Sequence, residues 1–191
     1  MWAASDDGSK LERLDPSTYQ VLATIDAPGE EGVVGGGYVW VADSDPDSGI
    51  YNGTIFKVDP QTSQIVATLH TPETYLDVYM DYDEASGSIW LKGDNDHWLT
   101  ALNTTTGVSR KIPLAPYSAL TDFSDDPPTS GLGSIWVRTA DDTVSRIDPQ
   151  SGAITARFPA TGKGGWPVVG FGSLWVANFD DDSVWRVQVP S

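Results

Sequence analysis

Carboxylates gather in short runs along this chain: Asp6-Asp7, Asp43-Ser44-Asp45-Pro46-Asp47, Asp94-Asn95-Asp96, Asp141-Asp142 and Asp180-Asp181-Asp182. Several carboxylate and carbonyl oxygens at short range are the ligands that a hard divalent cation such as Ca²⁺ takes. Asp43, Asp45 and Asp47 stand at alternate positions, as in a calcium loop. Gly49 then falls seventh rather than sixth, Thr54 stands where a bidentate glutamate would close the loop, and no helix flanks the segment. An EF-hand is excluded and a looser Ca²⁺ site is what the spacing admits. The same runs read equally as hairpin turns that keep a surface soluble, because Asp, Asn and Gly are the residues such turns use. A second group combines rings and carboxylates: Glu30-Glu31, Tyr75-Leu76-Asp77, Tyr117 and Trp166. As lining of a small-ligand pocket that also holds Tyr117, Tyr75 and Trp166 offer stacking surfaces, and Glu31 and Asp77 offer polar anchors. The two histidines, His70 and His97, converge on no acid or base at a recognisable spacing, and His97 beside Asp94 and Asp96 reads as a solvated turn residue. No Gly-x-Ser-x-Gly elbow is present.

Composition narrows the partners. The 191 residues hold 11 Lys and Arg against 27 Asp and Glu, a net charge of −16. Such a chain repels a phosphate backbone and an anionic lipid surface, so no nucleic acid is expected as partner. No apolar run approaches the roughly 18 residues of a membrane span, so no membrane insertion is expected. Apolar residues make up 39%, enough for a core, and the absence of cysteine removes disulfides, thiolate metal sites and a cysteine nucleophile. No cofactor is required by these patterns; Ca²⁺ or another divalent cation is the one they admit.

The elements that must carry these groups follow from a repeat. A tryptophan in an alternating strand pattern recurs at Trp2, Trp40, Trp90, Trp136 and Trp175, at spacings of 38, 50, 46 and 39. The mean, about 43, is the length of one propeller blade. Each tryptophan segment is followed by a second strand that ends in Asp15-Pro16, Asp59-Pro60, Asn103-Thr104 or Asp148-Pro149, and, in the last copy, by Val184-Trp185-Arg186-Val187. Proline cannot donate to a ladder and aspartate caps a turn through its own side chain, so the pair marks a strand end. A third strand follows in four copies, Gln20–Ile25, Gln64–Leu69, Gly107–Ile112 and Ala153–Phe158, and a small or apolar run such as Gly32-Val33-Val34-Gly35 precedes each later tryptophan. Glycine (19) and proline (13) break every stretch long enough for an amphipathic helix. The expected fold is therefore an all-β β-propeller, a single domain of about five four-stranded antiparallel repeats near 1–28, 29–72, 73–114, 115–160 and 161–191. The repeated tryptophan is read as packing between repeats, not as a carbohydrate platform.

The runs Ser173-Leu174-Trp175-Val176-Ala177-Asn178 and Val144-Ser145-Arg146-Ile147-Asp148-Pro149 resemble the repeats of bacterial YVTN/YncE-like β-propellers, and are similar also to those of streptogramin-lyase (virginiamycin B lyase) and NHL-type propellers. The resemblance implies an extracytoplasmic location, periplasmic or secreted. The lyases use a histidine and a divalent metal, but neither His70 nor His97 falls at the start of an innermost strand, so that chemistry does not transfer residue by residue. Two functions stay open: a non-catalytic binding or scaffolding propeller for a protein or small-molecule ligand, and a metal-dependent lyase or lactonase acting in a central channel. In a propeller, the acidic turns and the connections holding Glu31, Tyr75, Asp77, Tyr117 and Trp166 emerge on one face, giving an acidic rim around a central pocket, which the bland reading treats as an ordinary wet channel. The first repeat lacks an innermost strand and the last an outermost one, so the chain is expected to be part of a larger propeller, with self-association if truncated.

Overall fold

Alternating apolar and polar residues, punctuated by glycine and proline, leave this chain little but strands to build. A computed structural model describes residues 1–5, 8–29, 31–44, 50–72, 75–76, 78–93, 97–114, 127–139, 143–160, 165–178 and 182–189. Every regular element among them is a strand, and each sheet is an antiparallel meander in chain order.

The chain forms two compact units, Met1–Val78 and Tyr79–Ser191. In the first, β1 (Trp2–Ala4), β2 (Leu11–Leu14) and β3 (Val21–Ile25) make one sheet. β4 (Gly32–Gly35), β5 (Tyr38–Ser44), β6 (Ile50–Asp59) and β7 (Gln64–His70) make the next, with β8 (Tyr75–Leu76) pairing β6 through Tyr75 and Tyr51. The second unit holds three sheets: β9 (Val78–Asp83, starting at the boundary), β10 (Ser88–Gly93), β11 (Trp98–Asn103) and β12 (Ser109–Pro113); β13 (Thr129–Gly131), β14 (Ser134–Thr139), β15 (Thr143–Ile147) and β16 (Ile154–Pro159); and β17 (Pro167–Gly170), β18 (Ser173–Asn178) and β19 (Ser183–Val187). The expected strands are all present, and β8 is an addition that the sequence pattern misses because two residues carry no period.

Two local devices recur. Gly36 and Gly37, Leu132 and Gly133, and Phe171 and Gly172 all have positive φ between paired strand ends. Two consecutive left-handed residues make the tight turn whose twist suits an antiparallel hairpin, and glycine is the residue that takes this conformation without strain. The Asp-Pro turn is the second device. The Asp15 carboxylate accepts from the Ser17 N–H (2.7 Å), Asp59 from Gln61 (2.7 Å) and Asp148 from Ser151 (2.7 Å), while Asn103 accepts from Thr106 (2.8 Å). In all four the backbone closes four residues on, at Tyr19, Ser63, Gly107 and Gly152, each at positive φ. Asn103 thus does in the third repeat what aspartate does elsewhere, because either side-chain oxygen can cap the turn.

Sheets pack with a fixed direction inside each unit. Trp2 lies in a cluster with Val39 and Val41, which flank Trp40. Trp90 clusters with Ile135 and Val137, which flank Trp136, and Trp136 in turn with Leu174 and Val176, which flank Trp175. Period-two alternation explains this: the tryptophan leaves one face of its strand and its two neighbours leave the other. Trp40, Trp90 and Trp136 are fully buried. Burying an indole removes roughly 150–250 Å² from water, about 4–6 kcal/mol of gross transfer free energy, so these rings dominate the core.

Candidate functional site

Glu31 immediately precedes β4, and its backbone carbonyl accepts from the Ala42 N–H at 3.0 Å. It borders a cavity of about 360 Å³ in the first unit, between the exposed long edge of β1 and the strands β4 and β5. Trp2 and Ala4 form one wall and Val34, Val39 and Val41 the other. β1 is an edge strand of its sheet, and in the following sheet β4 pairs with β5. Val34, on β4, is 67% exposed. The cavity falls within the size range of small-ligand sites, and of the residues that line it Glu31 alone carries an ionisable side chain.

The other expected site residues distribute as follows. Trp166 precedes β17 in the second unit, is 51% exposed, and its carbonyl faces the Ala177 N–H at 3.5 Å. Register makes Trp166 and Glu31 equivalent, since Gly32 pairs with Val41 as Pro167 pairs with Val176. Tyr75 lies in β8, paired through its backbone with Tyr51. Asp77 and Tyr117 fall outside the described residues, as do Asp45, Asp47 and all of the acidic turns except Asp43 and Asp182. The Asp43 carboxylate accepts from Asn52 Nδ2 at 2.7 Å. Among the described residues no group of three His, Asp or Glu is placed to hold a metal ion. His70 meets the Thr54 hydroxyl at 3.4 Å at the outer end of its sheet.

Three constellations escaped sequence reading. The tryptophan of each sheet faces a residue across the strand pair: Trp2 faces Arg13, Trp40 Lys57, Trp136 Arg146 and Trp175 Arg186, whereas Trp90 faces Ala101. The Arg146 and Arg186 guanidinium groups stand 5.7 and 5.6 Å from the ring centres, and Lys57 Nζ stands 3.7 Å from the Tyr38 ring. Each arginine also donates from Nε to a serine hydroxyl, Ser134 at 2.8 Å and Ser173 at 2.9 Å. Secondly, the indole N–H of Trp40, Trp136 and Trp175 donates to the carbonyl five residues earlier, Gly35, Gly131 and Gly170, at 2.9–3.0 Å. Trp90 Nε1 is buried without such a partner. Thirdly, Asp81 on β9 accepts from the Ser130 N–H of β13 at 2.5 Å, while the Ser130 hydroxyl donates to the Tyr82 carbonyl at 2.9 Å. Burial pushes the Asp81 carboxyl above its ordinary range, against the opposing pull of the Ser130 and Tyr82 N–H groups. A recurring basic residue two places before the turn aspartate, as in Arg13-Leu14-Asp15 and Arg146-Ile147-Asp148, was the available signal for the first of these.

The fold and this geometry define a class: an all-β chain of repeated antiparallel meander sheets, stacked in one direction within each unit. No family model and no curated protein matches the chain. Among solved structures it is similar to the hydrazine synthase of Kuenenia stuttgartiensis, with a TM-score of 0.70 and 13% identity, over 98% of this chain and 68% of that one. It is similar also to the computationally designed Ika4 protein, with a TM-score of 0.60 and 13% identity, over 87% of this chain and 97% of that one. At such identity the likeness speaks for the fold alone.

Proposed function

We propose that this chain is a non-catalytic binding module of β-propeller type, in which the five repeats form one domain and a protein or small-molecule ligand docks on an apolar pocket anchored by Glu31. The observation that carries the reading is the cavity itself: walls of Ala, Val and Trp with one carboxylate provide burial and a single anchor rather than a converging acid and base. Sheet order and the directional packing of tryptophans support the propeller, as does the likeness to solved structures. The resemblance of the repeats to YVTN/YncE-like propellers supports an extracytoplasmic setting, and the −16 charge supports a neutral or basic ligand.

An uncharged solvatochromic dye titrated into the full chain tests this. One saturable site is expected, lost in Val34→Trp, whose new side chain fills the cavity from an exposed position, while the melting temperature stays within a degree or two. Dye binding that Val34→Trp leaves intact would move the site elsewhere. Stabilisation by Ca²⁺, Mn²⁺ or Zn²⁺ in a thermal scan, without dye binding, would favour the metal-dependent lyase or lactonase instead.

A further inference from the structure

We infer that a second cavity, of about 240 Å³, in the second unit between the sheet of β9–β12 and the turn that follows β15, binds a small aliphatic carboxylate whose head group is held by Arg110 and Asn103. This site is separate from the pocket beside Glu31 and does not depend on it.

An inverted pair of residues makes the space. In three sheets a basic residue on the strand after the tryptophan faces alanine on the next strand: Arg13 faces Ala23, Lys57 faces Ala67 and Arg146 faces Ala156. In the sheet of β9–β12 the order is reversed, and Ala101 on β11 faces Arg110 on β12. Arg146 and Arg186 reach back over their tryptophans and bond the serine two residues before each ring, Ser134 and Ser173. Ser88 is the corresponding serine beside Trp90, but the residue facing Trp90 is Ala101, which ends at its β-carbon. Ser88, Ala101 and Arg110 border the cavity instead. Arg110 reaches the next sheet, donating from Nη2 to the Pro149 carbonyl at 2.9 Å.

The groups around this space are rich in donors. Among the described residues the bond to Pro149 is the one hydrogen bond the Arg110 guanidinium makes, so most of its planar fork is available. Asn103 Oδ1 accepts from the N–H groups of Thr105 (3.1 Å) and Thr106 (2.8 Å), which fixes that atom as the oxygen and leaves the Nδ2 amide as a donor. Ser86 Oγ, also at the cavity, is buried without a partner, a cost that a ligand oxygen relieves. A guanidinium and an amide side by side suit the two oxygens of a carboxylate, and Ala101 and Val108 give a short carbon chain an apolar wall. Among the described residues that line the cavity, Arg110 alone carries a charge. The Asp148 carboxylate, which feels that charge, is engaged by the Ser151 N–H and hydroxyl, both at 2.7 Å. The −16 net charge opposes anions at long range but is screened beyond about 10 Å at 0.1 M salt, so contact groups decide, and a monoanion is favoured over a dianion.

The test titrates sodium butyrate into the full chain, isotopically labelled, at constant ionic strength, and reads the side-chain N–H resonances of Arg110 and Asn103. Saturable shifts at both are expected, and butyramide, of the same shape without the charge, should bind about tenfold more weakly or less. Asn103→Asp keeps the turn, since aspartate caps the corresponding turns at Asp15, Asp59 and Asp148, but it replaces a donor with a negative charge. It should abolish the shift at Arg110 while the melting temperature stays nearly unchanged. Exchanging the inverted pair, Ala101→Arg with Arg110→Ala, restores the arrangement of the other sheets and fills the cavity, so the shift at Asn103 should vanish as well. Unshifted resonances in the unaltered chain, or equal binding by butyramide or by Asn103→Asp, would overturn the inference. Tighter binding of phosphate or sulfate than of butyrate would assign the cavity to another oxyanion, and saturable binding of methylguanidinium in place of butyrate would make it a vacated cation site; in either case the carboxylate proposal falls.

Discussion

At the scale of single residues, the tryptophans that look alike in sequence are not alike in energy. Trp136 is buried, donates to Gly131 and carries Arg146 over its face, so Trp136→Ala should cost about 3–5 kcal/mol in a urea melt. Trp2, only partly buried beside the cavity, should cost less, and equal losses would contradict the packing assigned to the two rings. Phenylalanine separates a further pair. Trp136→Phe loses a satisfied hydrogen bond, whereas Trp90→Phe removes a buried donor that has no partner, so the second should be the milder change. Asp81 adds a pH signature. A carboxyl whose folded pKa is raised holds its proton more tightly in the folded state, so its stabilising contribution is full below the ordinary value near 3.8 and disappears as pH rises through the raised value. Asp81→Asn keeps an oxygen for the Ser130 and Tyr82 N–H groups and should flatten this part of the stability profile; an unchanged profile would show that Asp81 titrates normally. Asp15 and Asp148 run the other way. Turn N–H groups hold Asp15 down, and the Ser151 hydroxyl and N–H hold Asp148 down, so their contribution is present at neutral pH and lost as pH falls through their lowered values.

At the scale of elements, the hairpin turns carry a testable strain. Phe171 has φ of 51° at the first central position of its turn and is 97% exposed, so it holds a left-handed conformation with little packing in return. Phe171→Asn gives the Asn-Gly pair that such turns prefer and should stabilise by about 0.5–1 kcal/mol, read as a higher urea midpoint. Leu132, at the same position in the preceding hairpin, packs in the core cluster of Trp136, and there the same substitution should destabilise. A fall in stability for Phe171→Asn would mean that the ring serves a contact its exposure hides. Strand order and the Asp-Pro turns were legible in sequence, because period-two alternation and a side chain that caps its own turn are local properties, whereas β6 begins at Ile50, earlier than its alternating pattern shows. The cross-strand cations were not, although Arg13, Lys57, Arg146 and Arg186 recur visibly. Their role depends on register, which sets Arg146 opposite Trp136, and register emerges only when two segments pair. The candidate site was half legible. Glu31 was singled out for its place in a connection between strands, but its backbone bond to Ala42 and the apolar residues gathered beside it depend on how strands pair and sheets pack, which one segment does not reveal.

At the scale of the whole molecule, charge is the dominant global term. At −16 the chain repels itself, and screening should relieve that repulsion: the Debye length falls from about 10 Å at 0.1 M salt to about 3 Å at 1 M. A sodium chloride series should therefore raise the melting temperature, and a fall with salt would mean that favourable ion pairs outweigh the net repulsion. The direction of packing has a separate consequence, for symmetry. Each sheet sends an indole out of one face and aliphatic neighbours out of the other, and sheets within a unit meet indole face to aliphatic face. Two such faces are complementary but not identical, so two copies meeting through them cannot be related by a two-fold axis. Contacts of that kind are heterologous: each copy that joins presents a fresh face of the same sort, and assembly stops only when the rotation closes a ring or a different surface intervenes.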